Sequence, residues 1–250
     1  MRALILSDIH GNLEALEAVL TAAGKVDAVW NLGDVVGYGA SPNEVVDGIR
    51  HLASKNVRGN HDKVASGECS PDGFNPSARQ AALWTRDQLS PDAALWLRGM
   101  AAGPVVCSTS NVALAHGSPL HEDVYILNIR DAWNPLERME QQATFFGHTH
   151  MQGGFGWDNG RWFEILPCHR RGNHHSEWTL SFAEHRRYLV NPGSVGQPRD
   201  GDWRAAYAIF DDRTRTVTFH REPYDVGLAQ GRILLADLPE RLAKRLDEGR

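Results

Sequence analysis

Short apolar runs and amphipathic segments alternate through the first third of the chain. The apolar run Ala3–Leu6 is typical of a buried strand. The next segment, Asn12–Ala23, has leucine and valine side chains at helical spacing, with Asn12 as the N-cap and Gly24 as the stop. A second short strand follows at Ala28–Leu32. This alternation predicts a sheet with helices packed on its faces.

Further helices and a third strand are predicted before residue 100. One helix begins with a capping signal, because Ser41 precedes Pro42 in the first turn and Glu44 lies three residues after the serine. The predicted helices of this region are 41–53, Ser77–Leu89 and Pro91–Gly99, and Val57 lies on the third strand. In such sheets the chemistry collects in loops beyond the carboxyl ends of the strands.

The later chain is richer in strands. The predicted strands are Val105–Cys107, Val112–Ala115, Ala143–Phe146, Arg161–Leu166, Trp178–Phe182, Tyr188–Val190, Ala205–Phe210 and Val217–His220, followed by helices at Val226–Leu235 and Pro239–Glu248. With little helix between them, these strands predict a second, more antiparallel sheet packed against the first. We find no repeat or linker, so residues 1–250 are expected to form one α/β domain.

Composition excludes several classes of protein. Apolar residues make up 42% and charged residues 23% of the chain, as in ordinary globular proteins. The net charge of −5 gives no basic field for nucleic acid, and no apolar stretch is long enough for a membrane span. The N-terminal segment resembles a buried strand rather than a secretory signal, so a cytoplasmic location is expected. The sequence leaves the oligomeric state open.

Cysteine and histidine usage points toward metal chemistry without thiolates. The three cysteines, Cys69, Cys107 and Cys168, lie far apart, which argues against a disulfide framework or a thiolate zinc site. Histidine is unusually frequent, with 12 residues. This count is a reason to look for imidazole ligands, although surface histidines alone would produce it.

Five predicted strands end in Asp, Asn or His, usually beside glycine. The segments are "SDIHG" with Asp8 and His10, "LGDVVG" with Asp34, "RGNHD" with Asn60 and His61, "LAHG" with His116, and "GHTH" with His148 and His150. In an extended chain, alternate residues point to one side, so both histidines of "GHTH" could face a common site. Each residue alone has a structural explanation, such as a turn or a helix N-terminus. Their recurrence at five strand ends favours one shared site.

The ligand types suit divalent transition metals. Imidazole and carboxylate groups bind zinc, iron, manganese, nickel or cobalt, and the native metal is left open. Seven ligands exceed what one ion with an open position needs. A bridging carboxylate permits two ions roughly 3.5–4 Å apart, the spacing of binuclear phosphatase centres. Such a pair would activate water and neutralise negative charge on a bound substrate.

The five motifs, in this order, resemble those of the calcineurin-like metallophosphoesterases. The resemblance implies a four-layer sandwich, with two mixed sheets packed face to face and flanked by helices. It also implies the ligand sets. One ion would be held by Asp8, His10 and His150, the other by Asn60, His116 and His148, and Asp34 would bridge the two. His61 matches the residue that protonates the leaving group, with Asp62 orienting it.

The resemblance implies hydrolysis of phosphodiester or phosphoanhydride bonds by a metal-bridging hydroxide. The segment 191–211, which contains Arg199, resembles a bacterial phosphodiesterase branch related to diadenosine tetraphosphatases. Arg199 and Asn12 are the candidate substrate-binding residues, and a small phosphoester or nucleotide is the expected partner. "GDVVG" and "GNHD" depart from the "GDxVDRG" and "GNHE" of dinucleoside tetraphosphatases and protein phosphatases, which weakens both alternatives. A metal-binding protein-interaction scaffold is the alternative of another class.

The other histidines match no motif. They are His51, His121, His169, His174, His175, His185 and His220, and solvated or packing roles are expected for all of them. The basic loop His169–Trp178 could attract an anionic substrate through its arginines. A solvated turn is the favoured interpretation of that loop.

Overall fold

A computed structural model describes residues 1–250 and contains twelve strands. In chain order, the strands are β1 (Arg2–Leu6), β2 (Ala28–Asn31), β3 (Lys55–Asn56), β4 (Val105–Cys107), β5 (Val112–Leu114), β6 (Ala143–Phe145), β7 (Gly153–Asp158), β8 (Arg161–Ile165), β9 (Ser176–Ser181), β10 (Arg187–Asn191), β11 (Ala205–Asp211) and β12 (Thr216–Glu222). They form two six-stranded sheets, in the orders β3-β2-β1-β11-β12-β9 and β4-β5-β6-β10-β7-β8.

Eight α-helices surround these sheets. They are α1 (Leu13–Ala23), α2 (Pro42–Leu52), α3 (Asn60–Ser66), α4 (Pro76–Gln88), α5 (Pro91–Arg98), α6 (Ile129–Arg138), α7 (Val226–Leu235) and α8 (Glu240–Glu248). No helix has the length and apolar character that crossing a membrane requires.

The two sheets are both mixed. In the first, β1, β2 and β3 are parallel, while β11 lies antiparallel to β1 and continues antiparallel into β12 and β9. In the second, β5, β6 and β10 are parallel, and β4, β7 and β8 add antiparallel partners. The later chain therefore supplies strands to both sheets. The expectation that it forms a separate second sheet was wrong in this respect.

The hydrophobic core fills the space between the sheets and beneath the helices. Between the sheets, Ile5 and Trp30 pack with Phe145 and Phe210, all nearly inaccessible to solvent. On the outer side of the first sheet, apolar residues of α1, α2 and α5 cover the strands, and α6 covers the second sheet. Burying both faces of each sheet gives the predicted four-layer α/β sandwich, and the fold prediction is confirmed.

The predicted N-terminal cap is present at α1 and absent at α2. The Asn12 side chain accepts a hydrogen bond from the Ala15 amide and caps α1, as predicted. Ser41 makes no side-chain capping bond, so the predicted capping box at α2 was wrong. Three elements were missed: the seven-residue α3, the glycine-rich β7, and α6, which has a proline inside the helix.

Candidate metal centre

The seven predicted ligands lie together where both sheets present strand ends to the same region. Asp8 and His10 follow β1, Asp34 follows β2, Asn60 begins α3, His116 follows β5, and His148 and His150 follow β6. The Gly147 amide donates to the His116 carbonyl at 2.7 Å within the second sheet, and the His148 amide donates to Asp8 Oδ2, which follows β1 of the first sheet, at 3.1 Å. Six of the seven are buried, and Asn60 is half-buried. The structure therefore brings the whole predicted set together.

The backbone of these loops is strained. Of the ten non-glycine residues with positive φ in the chain, five are predicted ligands, namely Asp8, His10, Asp34, His148 and His150. A non-glycine residue in this region costs roughly 1–2 kcal/mol, and such strain concentrates at functional sites. The segment "GHTH" is consequently a turn after β6. The expectation that its histidines project from an extended strand was wrong.

Close backbone approach at the site depends on glycine. A Cβ at Gly59 would overlap Asp34 Oδ1, and a Cβ at Gly147 would overlap Ser7 Oγ. Both glycines sit directly before a predicted ligand in sequence. The glycine neighbours noted in the sequence thus allow the loops to pack tightly around the side chains.

One group of ligand atoms consists of Asp8, His10, Asp34 and His150. The two imidazole Nε2 atoms are 3.0 Å apart, and Asp8 Oδ1 is 3.4 Å from His150 Nε2 and 3.9 Å from His10 Nε2. Asp34 Oδ2 is 3.7 Å from His10 Nε2. Their convergence in a buried space matches the histidine–carboxylate donor set of divalent transition metals.

The tautomers of His10 and His150 decide whether their inward-facing nitrogens could bind a cation. His10 Nδ1 faces the Val36 carbonyl at 3.1 Å, and His150 Nδ1 faces the Gln197 carbonyl at 2.6 Å. A carbonyl only accepts hydrogen bonds, so each Nδ1 is protonated. Burial holds the pKa of both rings well below the usual range, so both are neutral near pH 7. Two Nε2 lone pairs therefore face each other, an arrangement that a shared cation would stabilise.

The second group consists of Asp34, His116 and His148. His116 Nε2 lies 3.1 Å from His148 Nδ1 and 3.3 Å from Asn60 Oδ1. His116 Nδ1 faces the Leu32 carbonyl at 2.8 Å, which orients this ring in the same way as His10 and His150. The donors available here are those that the family resemblance implies for a second ion.

Asp34 lies between the two groups and belongs to both. Its Oδ2 is 3.4 Å from His116 Nε2, and its Oδ1 accepts a hydrogen bond from the His61 amide at 2.8 Å. Burial raises the pKa of Asp34, but His116 and His61 outweigh this effect and hold it well below the usual range. An ionised carboxylate shared by two ligand groups is in the position that a bridging ligand requires.

His61 lies beside the groups, and no hydrogen bond joins its ring to Asp62. The His61 ring lies 4.9 Å from the His10 ring, and its buried Nδ1 has no hydrogen-bond partner. Burial lowers the pKa of His61 to about 4. Both Asp62 oxygens accept backbone hydrogen bonds, one from Val36 and one from Gly59. Asp62 therefore ties two ligand loops together, and its predicted role in orienting His61 stays a prediction.

The two predicted substrate-binding residues, Arg199 and Asn12, differ in whether their side-chain polar atoms are already bonded within the protein. Arg199 lies next to the first group, with its amide bonded to the His150 carbonyl, its guanidinium over Tyr38 and its buried Nε without a partner. Asn12 uses Oδ1 to cap α1 and Nδ2 to bond the Gly196 carbonyl at 2.9 Å. Since its amide is committed to the protein, the structure gives the predicted substrate role of Asn12 no support.

Three aromatic residues around the groups were missed in the sequence. The ring centroids of Tyr38 and Phe74 lie 4.4 and 4.5 Å from that of His61. The ring of Tyr125 stacks on His148 with centroids 3.8 Å apart. Phe74 and Tyr125 lie in irregular segments with no periodicity or motif. Only their placement in three dimensions identifies them.

The remaining histidines stay outside both groups. The loop 169–175 is largely exposed, as expected for a solvated turn. His175 and His220, however, converge with Glu177 in a separate cluster. For these two histidines, the sequence predicted only solvated or packing roles and not a cluster with a carboxylate.

Comparison with known proteins places this geometry in context. The model of the calcineurin-like phosphoesterase superfamily domain matches residues 1–215. An uncharacterized protein of Methanocaldococcus jannaschii is 35% identical over 252 residues, covering 98% of this chain and 97% of that protein. The crystal structure of a metallophosphoesterase from Sphaerobacter thermophilus is 40% identical, with a TM-score of 0.84, and the match covers 100% of this chain and 99% of that one. A hypothetical protein from Pyrococcus horikoshii shares the fold at 20% identity, with a TM-score of 0.77 and coverage of 100% and 98%.

Proposed function

Because the chain belongs to the calcineurin-like phosphoesterase superfamily, we propose that it is a phosphoesterase that uses two divalent metal ions. Its substrates are small phosphoesters or nucleotides, and the bonds it hydrolyses are phosphodiesters or phosphoanhydrides. The observation that supports this most directly is the pair of ligand groups that share Asp34. A single structural ion would not need seven donors and an ionised carboxylate between two groups.

The protein's own residues prepare the site for this reaction. Asp8, His10 and His150 would hold one ion, Asn60, His116 and His148 the other, and Asp34 would contact both. When bound, the ions supply Lewis-acid activation of water and charge neutralisation at the phosphoryl group. The carbonyls of Val36, Gln197 and Leu32 keep the imidazole lone pairs directed inward.

His61 is the proposed proton donor to the leaving group. Its ring lies beside His10 and packs against the rings of Tyr38 and Phe74, contacts that restrict its rotation. General acid–base catalysis by a positioned imidazole contributes roughly 10²–10⁴-fold. Because burial disfavours the charged ring, His61 would rely on the negative charge of a bound phosphoester to raise its pKa. The ring would then take up a proton from solvent, transfer it to the leaving oxygen and return to the neutral form.

The surroundings of the two groups suggest what the substrate looks like. A cavity of about 290 Å³ opens beside Asn60 and His148 and is lined by Phe74 and Tyr125. Its two charged residues neutralise each other, since Lys63 Nζ bonds the Asp123 carboxylate at 2.7 Å. An uncharged planar group, such as a nucleobase or aryl group, fits this side because aromatic rings stack with it.

The residues near the first ligand group favour an anion. Arg199 adjoins the group that contains His10 and His150, with its guanidinium over Tyr38 and its buried Nε without a hydrogen-bond partner. Burial, together with the positive charge of Arg199, lowers the pKa of Arg245 to about 10. A planar group on one side and a phosphate on the other describe a nucleotide-like phosphoester.

The test is hydrolysis of bis-p-nitrophenyl phosphate with added Mn²⁺ and with chelator. We expect turnover that the chelator abolishes and Mn²⁺ restores. A panel of cyclic nucleotides, nucleotides, dinucleoside polyphosphates and phosphoproteins then identifies the substrate class. Preference for dinucleoside polyphosphates or phosphoproteins would replace the proposed substrate. Absence of chelator-sensitive turnover with any transition metal would instead favour a protein-interaction scaffold.

A further inference from the structure

A second cluster of metal-ligating side chains lies on the first sheet, on the edge strand β9 and its neighbour β12. Glu177 on β9 and His220 on β12 are directly paired in the strand register. His175 immediately precedes β9, at the end of the basic loop 169–175. The side chains of all three converge, with ligand atoms within 4.8 Å of one another.

We propose that His175, Glu177 and His220 form a binding site for a Zn²⁺-like divalent transition metal ion. This site is separate from the proposed catalytic centre. Its ligands are His175 Nε2, His220 Nδ1 and Glu177 Oε2, and a fourth position stays open to solvent because His175 and Glu177 are exposed. Two histidines and one carboxylate with an open position are a recurrent zinc-binding set.

The distances between these atoms fit a shared ion better than they fit hydrogen bonds. His175 Nε2 and His220 Nδ1 are 3.4 Å apart, and Glu177 Oε2 is 3.8 Å from each nitrogen. Good hydrogen bonds between such atoms are roughly 2.7–3.2 Å long. In the plane of the three atoms, the point equidistant from them lies about 2.1 Å from each, which is the usual length of zinc bonds to histidine nitrogen and carboxylate oxygen.

A carboxylate behind His175 supplies an independent indication of metal binding. His175 Nδ1 donates to Glu222 Oε2 at 2.6 Å. This bond places the proton on Nδ1 and leaves a lone pair on Nε2, the atom that faces His220 and Glu177. Metal-ligating histidines commonly donate their second N–H to a carboxylate in this way.

The other ring of the cluster is also held in position. The His220 ring stacks on Tyr207 with centroids 4.6 Å apart and an interplanar angle of 7°. Its backbone is fixed in the middle of β12, and the ring is largely buried. An ion here would connect the loop 169–175 to two strands of the first sheet. That loop supplies His169 and Arg171 to a neighbouring cavity of about 540 Å³, so the ion would also order one wall of this cavity.

Zinc content after equilibrium dialysis of the full chain tests the proposal. We expect wild-type protein to retain one more Zn²⁺ per chain than the Glu177→Ala and His175→Ala variants. The matched controls are Glu164→Ala, an exposed strand glutamate on the other sheet, and His174→Ala, the exposed neighbour of His175. Both controls should retain the wild-type zinc content. All of these residues lie outside the proposed catalytic centre, so bis-p-nitrophenyl phosphate hydrolysis should not change.

A second variant tests the carboxylate behind His175. Glu222→Gln keeps all three ligands but removes the carboxylate behind His175, and it should weaken zinc binding at this site by roughly 10–100-fold. Anomalous diffraction at the zinc edge should place an ion between the three side chains. Equal zinc content in wild type, Glu177→Ala and His175→Ala, or anomalous signal at the central ligand groups alone, would overturn the proposal. Neither outcome depends on phosphoesterase activity.

Discussion

The chain contains two clusters of histidine and carboxylate groups that differ in how the fold builds them. The central cluster, which is the set of seven predicted ligands, comes from five loops at the strand ends of both sheets. The outer cluster of His175, Glu177 and His220 comes from two neighbouring strands and the loop before one of them. Separations between ligand atoms are similar, 3.0–3.9 Å in the first central group and 3.4–3.8 Å in the outer cluster. Distance alone therefore does not distinguish the two sites.

Burial and strain do distinguish them. Asp8 and His10 are at most 1% exposed and have positive φ, whereas Glu177 is 63% exposed and lies on a regular strand. Positioning buried, strained residues costs stability, and such a cost persists where the surrounding structure enforces it. The outer cluster needs no such support, because ordinary strand pairing positions Glu177 beside His220. This difference is expected if the central site carries out the proposed reaction and the outer site only binds an ion that connects a loop to the sheet.

The largest expected effect is the loss of the shared central ligand. Asp34→Asn preserves the side-chain volume but removes the charge that both ligand groups share. Because both proposed ions would depend on it, we expect metal content to fall and kcat/KM for bis-p-nitrophenyl phosphate to drop by roughly 10⁴-fold or more. Metal analysis alongside kinetics measures both, with the exposed Asp87→Asn as control. A variant that kept two ions and full rate would exclude the bridging assignment.

Replacing His61 should separate metal binding from catalysis at the same site. His61→Ala removes the proposed proton donor and none of the ligands, so metal content should remain while kcat falls by about 10²–10³-fold. The loss should be smaller for substrates whose leaving group is already a weak base, since these need less protonation. The exposed His51→Ala is the control. Equal losses for all leaving groups would contradict the general-acid role.

The aromatic side of the central site should affect substrate preference. Stacking of a base on an aromatic ring is worth roughly 1–3 kcal/mol, so Tyr125→Ala should raise KM for a nucleotide diester by roughly 5–100-fold. KM for a diester without aromatic groups should hardly change. Trp133→Ala, another exposed aromatic residue, serves as control. If both substrate types were affected alike, Tyr125 would act by supporting His148 rather than by stacking on substrate.

The smallest expected effect concerns the outer cluster. At a free Zn²⁺ concentration about tenfold above Kd, binding stabilises the folded protein by about 1.4 kcal/mol. For a chain of this size, that should raise the unfolding temperature by roughly 3–6 °C. Calorimetry should show this increment in wild type and in Glu164→Ala but not in Glu177→Ala, after subtraction of the effect of the central ions. An equal increment in all three proteins would remove the contrast between the two clusters.

Sequence reasoning predicted the central cluster more completely than the elements around it. The ligands are recognisable because each is fixed locally, at the end of an apolar strand beside a glycine. By contrast, α6 was hidden by Pro135 and β7 by its glycines, since tertiary packing outweighs weak local preferences there. Asp62 was assigned to His61 by its position in "GNHD". Its actual partners, the amides of Val36 and Gly59, include one from a loop distant in sequence.

The sequence by itself determined which candidate metal ligands come together and in what kind of fold. Strand-end motifs and hydrophobic patterning are local, so they can be recognised in the sequence without the tertiary contacts. Tertiary structure alone decided which imidazole nitrogen faces inward, which loops adopt positive φ and which aromatic rings border the ligands. It also decided that His175 and His220, 45 residues apart, would meet across β9 and β12. These features depend on strand register and on carbonyl groups contributed by distant segments, neither of which leaves a periodic signal in the chain.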